Sequence, residues 1–191
     1  MEIILASASP RRRELLKSLG VEFNVIASTD KEVLNKEKSF YDQSMDIAYN
    51  KALSIYKHEN DDVIVIGSDT MVLFNNKLYG KPKDFDDAFK MLKKFSNKTH
   101  QVITSLVMLI RKDGKEYVEK TYEVCNVTVS KLSNEEITNW INSNDVYSKA
   151  GAYAIQEGFG KYISKIEGDY YTIIGLPLNK TYNLLKKYGA L

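Results

Sequence analysis

Residues 61–70 read DDVIVIGSDT, and this stretch sets the class of fold. Two acids open it, Val63 to Ile66 run apolar without a break, and small and polar residues close it. Strict alternation would mark a strand with one wet face. An unbroken run instead marks a strand buried on both faces, inside a sheet with helices on either side. The expectation is an α/β or mixed α+β domain around a long twisted mixed sheet, with function gathered at the GSDT end of this strand.

Working outward, Met45, Ala48, Ala52 and Ile55 recur at helical spacing between about Gln43 and His58, and that helix carries Lys51. Nearer the start, EIILA (2–6) reads as a strand. It runs into a helix with Ser9 as N-cap, Pro10 at the first helical position, Leu15, Leu16 and Leu19 on one face and Gly20 as terminator. VEFNVIAS (21–28) reads as a second strand.

On the other side, MVLFNNKLYG (71–80) reads as a hairpin turning at Asn75 and Asn76. DFDDAFKMLKKFS (84–96) is a helix with Phe85, Ala88, Phe89 and Leu92 inward. Two long β segments, 100–112 and 115–129, flank Asp113-Gly114, a type I′ dipeptide. Ser133 with Glu136 forms a capping box that opens a helix over 134–143. The Gly- and Tyr-rich stretch 147–175 reads as loop with short strands, and a last helix from Pro177 buries Leu178, Tyr182 and Leu185 before Gly189.

At 191 residues the chain suits one domain, 1–191, without repeats or a linker. Apolar residues at 43% and charged residues at 27% fit an ordinary globular protein. The 27 Lys and Arg nearly cancel 25 Asp and Glu, leaving +2, which disfavours nucleic acid as a partner. A single Cys125 and only two histidines, His58 and His100, give neither a disulfide nor a zinc cluster. With no leader-like start and no run long enough to span a bilayer, the expectation is a cytoplasmic protein without a membrane partner.

Chemistry is first suggested by SASPRRRELL (7–16). A helix start bears partial positive charge and unpaired N–H groups, so Arg11, Arg12 and Arg13 in the first turn each cost on the order of 0.3–1 kcal/mol unless an anion offsets them. Small residues Ala6 to Ser9 would let a phosphate approach the backbone. Solvated surface charge is the plainer alternative. At about 100° per residue, at most two of the arginines reach one ligand, with Arg13 left to solvent.

Asp69 is expected to leave its strand at a turn, where a carboxylate could hold a divalent metal, take a proton from water, or simply form an Asx turn. Glu32, beside Asp30, could complete a metal site or lie in a solvated loop. Lys51 on its helix and Lys81 in YGKPKD (79–84) are candidate phosphate partners or solvated lysines. His100 could donate to a phosphate or be structural. Gln156 in KAGAYAIQEG (149–158) carries an amide suited to a base edge, or to buried backbone groups. No P-loop, G-x-G-x-x-G, G-x-S-x-G or Cys/His nucleophile pattern is present, which disfavours covalent catalysis.

Taken in order, ILASASPRRRELL (4–16), IAYNKA (47–52), VIGSDTMV (65–72), GKPKD (80–84), THQVITS (99–105) and residues 147–178 resemble the Maf family of nucleoside triphosphate pyrophosphatases, also called septum-formation inhibitor proteins. The resemblance implies a fold related to the inosine triphosphate pyrophosphatases, with two lobes and a cleft. It implies hydrolysis of a nucleoside triphosphate to monophosphate and pyrophosphate, for control of nucleotide pools, with Mg²⁺ or Mn²⁺ as cofactor. Carried over, Ser7, Ser9, Arg11, Arg12, Lys51 and Lys81 bind substrate, Asp69 accepts the proton, and Glu32 and Asp69 hold metal. Arg11, Thr70 and Gln156 set specificity.

The AYAIQ segment is similar to that of the branch acting on dTTP and UTP. Two departures stand out: Ser68 where GADT is commoner, and Glu157 where that branch usually has glycine. Family members are often dimers, so a homodimer is implied as well. A rival expectation is a binding protein that senses nucleotides or contacts a division partner without hydrolysis. A single-strand nucleic-acid module using the 13 tyrosines is a third.

Overall fold

A computed structural model of the chain describes residues 1–29, 34–35 and 37–191. Its strands are β1 (Glu2–Leu5), β2 (Asn24–Val25), β3 (Val63–Phe74), β4 (Lys77–Leu78), β5 (Thr99–Lys112), β6 (Lys115–Val129) and β7 (Ile163–Glu167). The helices are α1 (Pro10–Lys17), α2 (Phe40–Tyr56), α3 (Phe85–Phe95), α4 (Asn134–Ser143), α5 (Tyr170–Ile174) and α6 (Leu178–Lys187). The strands form one mixed sheet in the order β2-β1-β3-β5-β6-β7, with β4 on β3. β1 runs parallel to β2 and to β3, pairing Glu2 with Val63 through Leu5 with Ile66. β4 runs antiparallel to β3, and β7 antiparallel to β6.

Both expected hairpin turns form at residues of positive φ, Asn75 and Asn76 (49° and 55°) and Asp113 and Gly114 (51° and 70°). The capping box of Ser133 and Glu136 is complete. Other expectations need correction. The DDVIVIGSDT strand does not stop at GSDT: β3 continues to Phe74, so Asp69 sits within a strand and not at a turn.

Ser9 makes no side-chain cap on α1; its backbone N–H donates instead to Ser7 Oγ at 3.2 Å. The second strand shrinks to Asn24–Val25. α2 begins earlier than its apolar spacing suggests, because Ser39 accepts from the Asp42 N–H. On α6 the buried line is Thr181, Leu185 and Tyr188, one step around the helix from Tyr182, which is exposed. Phe85 and Phe89 are only half-buried, stacked on each other, while Met91 and Phe95 join Ala88 and Leu92 inside. Within 147–175, short 3₁₀ turns at Ala150–Ala152, Ile155–Glu157 and Phe159–Tyr162 precede β7 and α5.

The chain divides into two compact units. The first comprises Met1–Asp69, Thr104–Glu123 and Gly175–Leu191; the second comprises Thr70–Ile103 and Val124–Ile174. In the first, Ile4, Ala6, Val63, Val65, Val107 and Leu109 pack with Ala48, Ala52 and Tyr56 of α2. Residues 63 and 65 share a strand face, so 67 and 69 continue it along α2. The second unit has an aromatic core. Phe95 stacks on His100 at 4.5 Å, Tyr153 on Phe159 at 4.5 Å, and Trp140 meets Phe159 edge-on at 5.0 Å.

Candidate active site

The chain leaves β1 through α1 to β2, then returns through α2 to β3 on the other side of β1. Parallel crossovers are right-handed, so two that run in opposite directions place their helices on opposite faces. The C-terminal end of β1 is therefore a point where the strand order reverses, the place where open sheets of this kind bind ligands. β3 runs on past that end, since its pairing with β1 stops at Ile66. Ser68 and Asp69 lie in the overhang and, by strand alternation, face opposite sides.

On one side Arg12 is held at the start of α1. Its Nε donates to the Gly175 carbonyl at 2.8 Å and its Nη1 to Ser7 Oγ at 3.2 Å. The same carbonyl accepts the Ser68 hydroxyl at 3.0 Å, and Ser68 is fully buried. Gly175 sits at φ 125°, a conformation that favours glycine. Arg12 is thus fixed by hydrogen bonds beside the Ser7–Ser9 segment, and a fixed guanidinium suits planar recognition of phosphate. Arg11 and Ser9 are half-buried, Ser7 is buried, and Arg13 is exposed.

On the other side Asp69, 6% exposed, accepts from Lys51 Nζ at 2.9 Å through Oδ1. Ser44, fully buried on α2, makes longer contacts of 3.4 Å to Oδ2 and 3.5 Å to the Asp69 carbonyl. The approach of α2 depends on Gly67, since a Cβ there would fall 2.1 Å from the Ala48 carbonyl oxygen and 3.0 Å from Ala52 Cβ. Gly67 lets α2 lie close enough for Ser44 and Lys51 to reach Asp69. A carboxylate removed from water is costly unless paired, and the ammonium supplies the pairing.

The other expected residues lie in the second unit. Thr70 is half-buried in β3, Lys81 is exposed in the segment after β4, and Gln156 is exposed in the turn Ile155–Glu157. His100 is 1% exposed; its Nε2 meets the Tyr153 hydroxyl at 2.7 Å, so it is structural and not a phosphate donor. Burial holds His100 down to about 4 and drives Tyr153 upward. Burial also lifts the Cys125 thiol to about 11, where a thiolate nucleophile is not available.

Among the described residues, no group of three or more His, Cys, Asp or Glu is placed to hold a metal. Mg²⁺, however, commonly uses one or two carboxylates and completes its shell with waters and substrate phosphates. Asp69 supplies the hard oxygen that such a site needs. Glu32, with Asp30, lies outside the described residues. No helix among the described residues is long and apolar enough to cross a membrane.

Sequence reasoning missed Ser44, Ser68 and Gly175. Ser44 carried a weak signal, a polar residue four before Ala48 on the apolar side of α2. Ser68 and Gly175 are far apart in sequence and gain meaning only through the shared carbonyl.

The chain is 46% identical over 187 residues to the dTTP/UTP pyrophosphatase of Thermoanaerobacter sp. (strain X514), covering 98% of this chain and 96% of that protein. It is 40% identical over 192 residues to the dTTP/UTP pyrophosphatase of Clostridioides difficile (strain 630), covering 100% and 97%. Among solved structures, a dITP/XTP pyrophosphatase from Mycobacterium abscessus matches 69% of this chain and 76% of its own at 14% identity and TM-score 0.41, too slight a likeness to carry an argument. Residues 2–188 match the family described as Maf-like protein, and the chain belongs to that family.

Proposed function

We propose that this protein hydrolyses dTTP and UTP to the monophosphate and pyrophosphate. One observation carries the reading: a buried carboxylate, Asp69, held by Lys51 at 2.9 Å on the strand that overhangs the end of β1. The names of the full-length relatives supply the substrate class.

In this reading the triphosphate lies at the head of α1, where N–H groups and Arg11 and Arg12 bind its oxygens. Ser7 and Ser9 line the approach, and Lys81 adds positive charge for the departing pyrophosphate. Water attacks the α-phosphorus in line; a P–O bond forms to it, the α–β anhydride bond breaks, and the water proton passes to Asp69. Lys51, through Oδ1, and Ser44, through Oδ2, fix the orientation of the carboxylate that meets the water. A divalent cation such as Mg²⁺ or Mn²⁺, held by Asp69 and Glu32, would neutralise phosphate charge. Gln156, with Thr70 and Arg11, selects the base.

The test is product analysis of purified protein with dTTP, UTP, CTP and GTP in heavy-oxygen water, with Mg²⁺, Mn²⁺ or chelator. The expected result is pyrophosphate and monophosphate in equal amounts, a preference for dTTP and UTP, and label in the monophosphate. Release of orthophosphate, label in pyrophosphate, or a preference for GTP would contradict it.

A further inference from the structure

The segment KAGAYAIQEG (149–158) contributes only Gln156 to the proposed reaction, yet its backbone turns to positive φ at three positions. Gly151 and Gly158 lie at φ 74° and 96°, and Ala152, which has a side chain, lies at 65°. Residues with a Cβ enter that region rarely and stay only where their surroundings over-determine them. Three contacts do so here. Trp140 Nε1 donates to the Ala152 carbonyl at 3.1 Å, the Tyr153 hydroxyl meets His100 at 2.7 Å, and Lys149 Nζ pairs with Glu157 Oε2 at 2.9 Å.

The third contact differs from the others because it is charged and its two ends are unequally exposed. The Lys149 side chain is 5% exposed and that of Glu157 42%. A buried ammonium needs compensation, and Lys149 receives it from the Asp145 backbone carbonyl, the Asp145 carboxylate at 3.6 Å, Ser148 Oγ at 3.5 Å and Glu157. Glu157 closes the turn Ile155–Glu157, its N–H donating to the Ala154 carbonyl at 3.2 Å, and it directly follows the exposed Gln156.

We propose that Lys149 and Glu157 are a positioning pair for base selection. The ion pair ties the end of the turn to a buried anchor and so fixes where the Gln156 amide is presented. Glu157 acts through Gln156 and touches no substrate. The inference rests on the proposed reading that Gln156 selects the base.

The experiment compares wild type, Glu157→Gly, Glu157→Gln and Gln156→Ala in pyrophosphate release from dTTP, UTP and GTP. Misplacing a recognition group weakens its contact without removing the chemical step. Glu157→Gly should therefore raise KM for dTTP about tenfold, with kcat within about twofold, and lower the preference for dTTP over GTP. Glu157→Gln, which keeps an oxygen for Lys149 but no charge, should show a smaller rise. Unchanged KM and preference in both Glu157 variants, while Gln156→Ala loses preference, overturns the pair alone. An equal loss of kcat on every nucleotide in Glu157→Gly, with KM unchanged, is a general structural effect and overturns it too. If Gln156→Ala keeps its preference, the reading of Gln156 fails, and the pair with it.

Discussion

Asp69 and His100 are both titratable side chains buried on long strands, at 6% and 1% exposure, but their surroundings differ. Asp69 has an ammonium at 2.9 Å and a serine hydroxyl beyond it. His100 has a phenol at 2.7 Å on one nitrogen, a phenyl ring stacked at 4.5 Å, and no hydrogen-bond partner for Nδ1 among the described residues. Burial alone therefore does not make a reactive group. Asp69 keeps an ion-pair partner within hydrogen-bond reach, whereas burial among aromatic rings holds His100 neutral and makes it a packing element.

The comparison breaks most easily at Lys51. Lys51→Met leaves Asp69 buried without its ammonium, and pyrophosphate release should fall roughly 10²- to 10³-fold, measured as kcat/KM with dTTP. Wild-type activity in that variant would mean that the pair is not what equips Asp69.

Gly67→Ala attacks the same pair indirectly. The new Cβ meets the Ala48 carbonyl at 2.1 Å, so α2 must shift, carrying Ser44 and Lys51 with it. A loss of about 3 kcal/mol in urea unfolding is expected, together with lower turnover. Unaltered stability would show that α2 does not rest on that glycine.

His100 is tested through pH. Its folded pKa of about 4 lies below the unfolded 6.5, so between those values the unfolded chain binds the proton and the folded chain does not. The associated stability is complete above pH 6.5 and declines as the pH falls toward 4. From pH 6.5 to about pH 5, the wild type should lose about 2 kcal/mol that His100→Gln does not lose. Parallel pH profiles for the two proteins would contradict this role of burial.

Ser68→Ala should have the smallest effect. It removes the Ser68 hydroxyl from the Gly175 carbonyl and leaves Arg12 in place, so a loss of about 1 kcal/mol is expected, with KM for dTTP up a few-fold and kcat unchanged. A larger loss than that of Gly67→Ala would shift the weight of the site from α2 to the Gly175 loop.

Local chemistry explains what was legible beforehand. The Val63–Ile66 run, the Asn75-Asn76 and Asp113-Gly114 turns and the Ser133 capping box each depend on near neighbours, and each formed as read. GSDT misled because small and polar residues normally end a strand. Here they continue one: Gly67 makes room for α2, Ser68 finds the Gly175 carbonyl, and Asp69 finds Lys51. Those compensations come from residues distant in sequence, and no local pattern announces them. The arginines at the α1 start raise the expectation of an anion site, but no local pattern announces the tether from Arg12 to Gly175.

In the proposed reaction Asp69 takes the proton, in a site that Lys51, Ser44 and Gly67 assemble. The most direct test is Asp69→Asn, with dTTP binding and pyrophosphate release measured on the same preparation. Release should fall about 10²- to 10⁴-fold while the dissociation constant for dTTP stays within about threefold. Turnover at the wild-type rate would contradict the account.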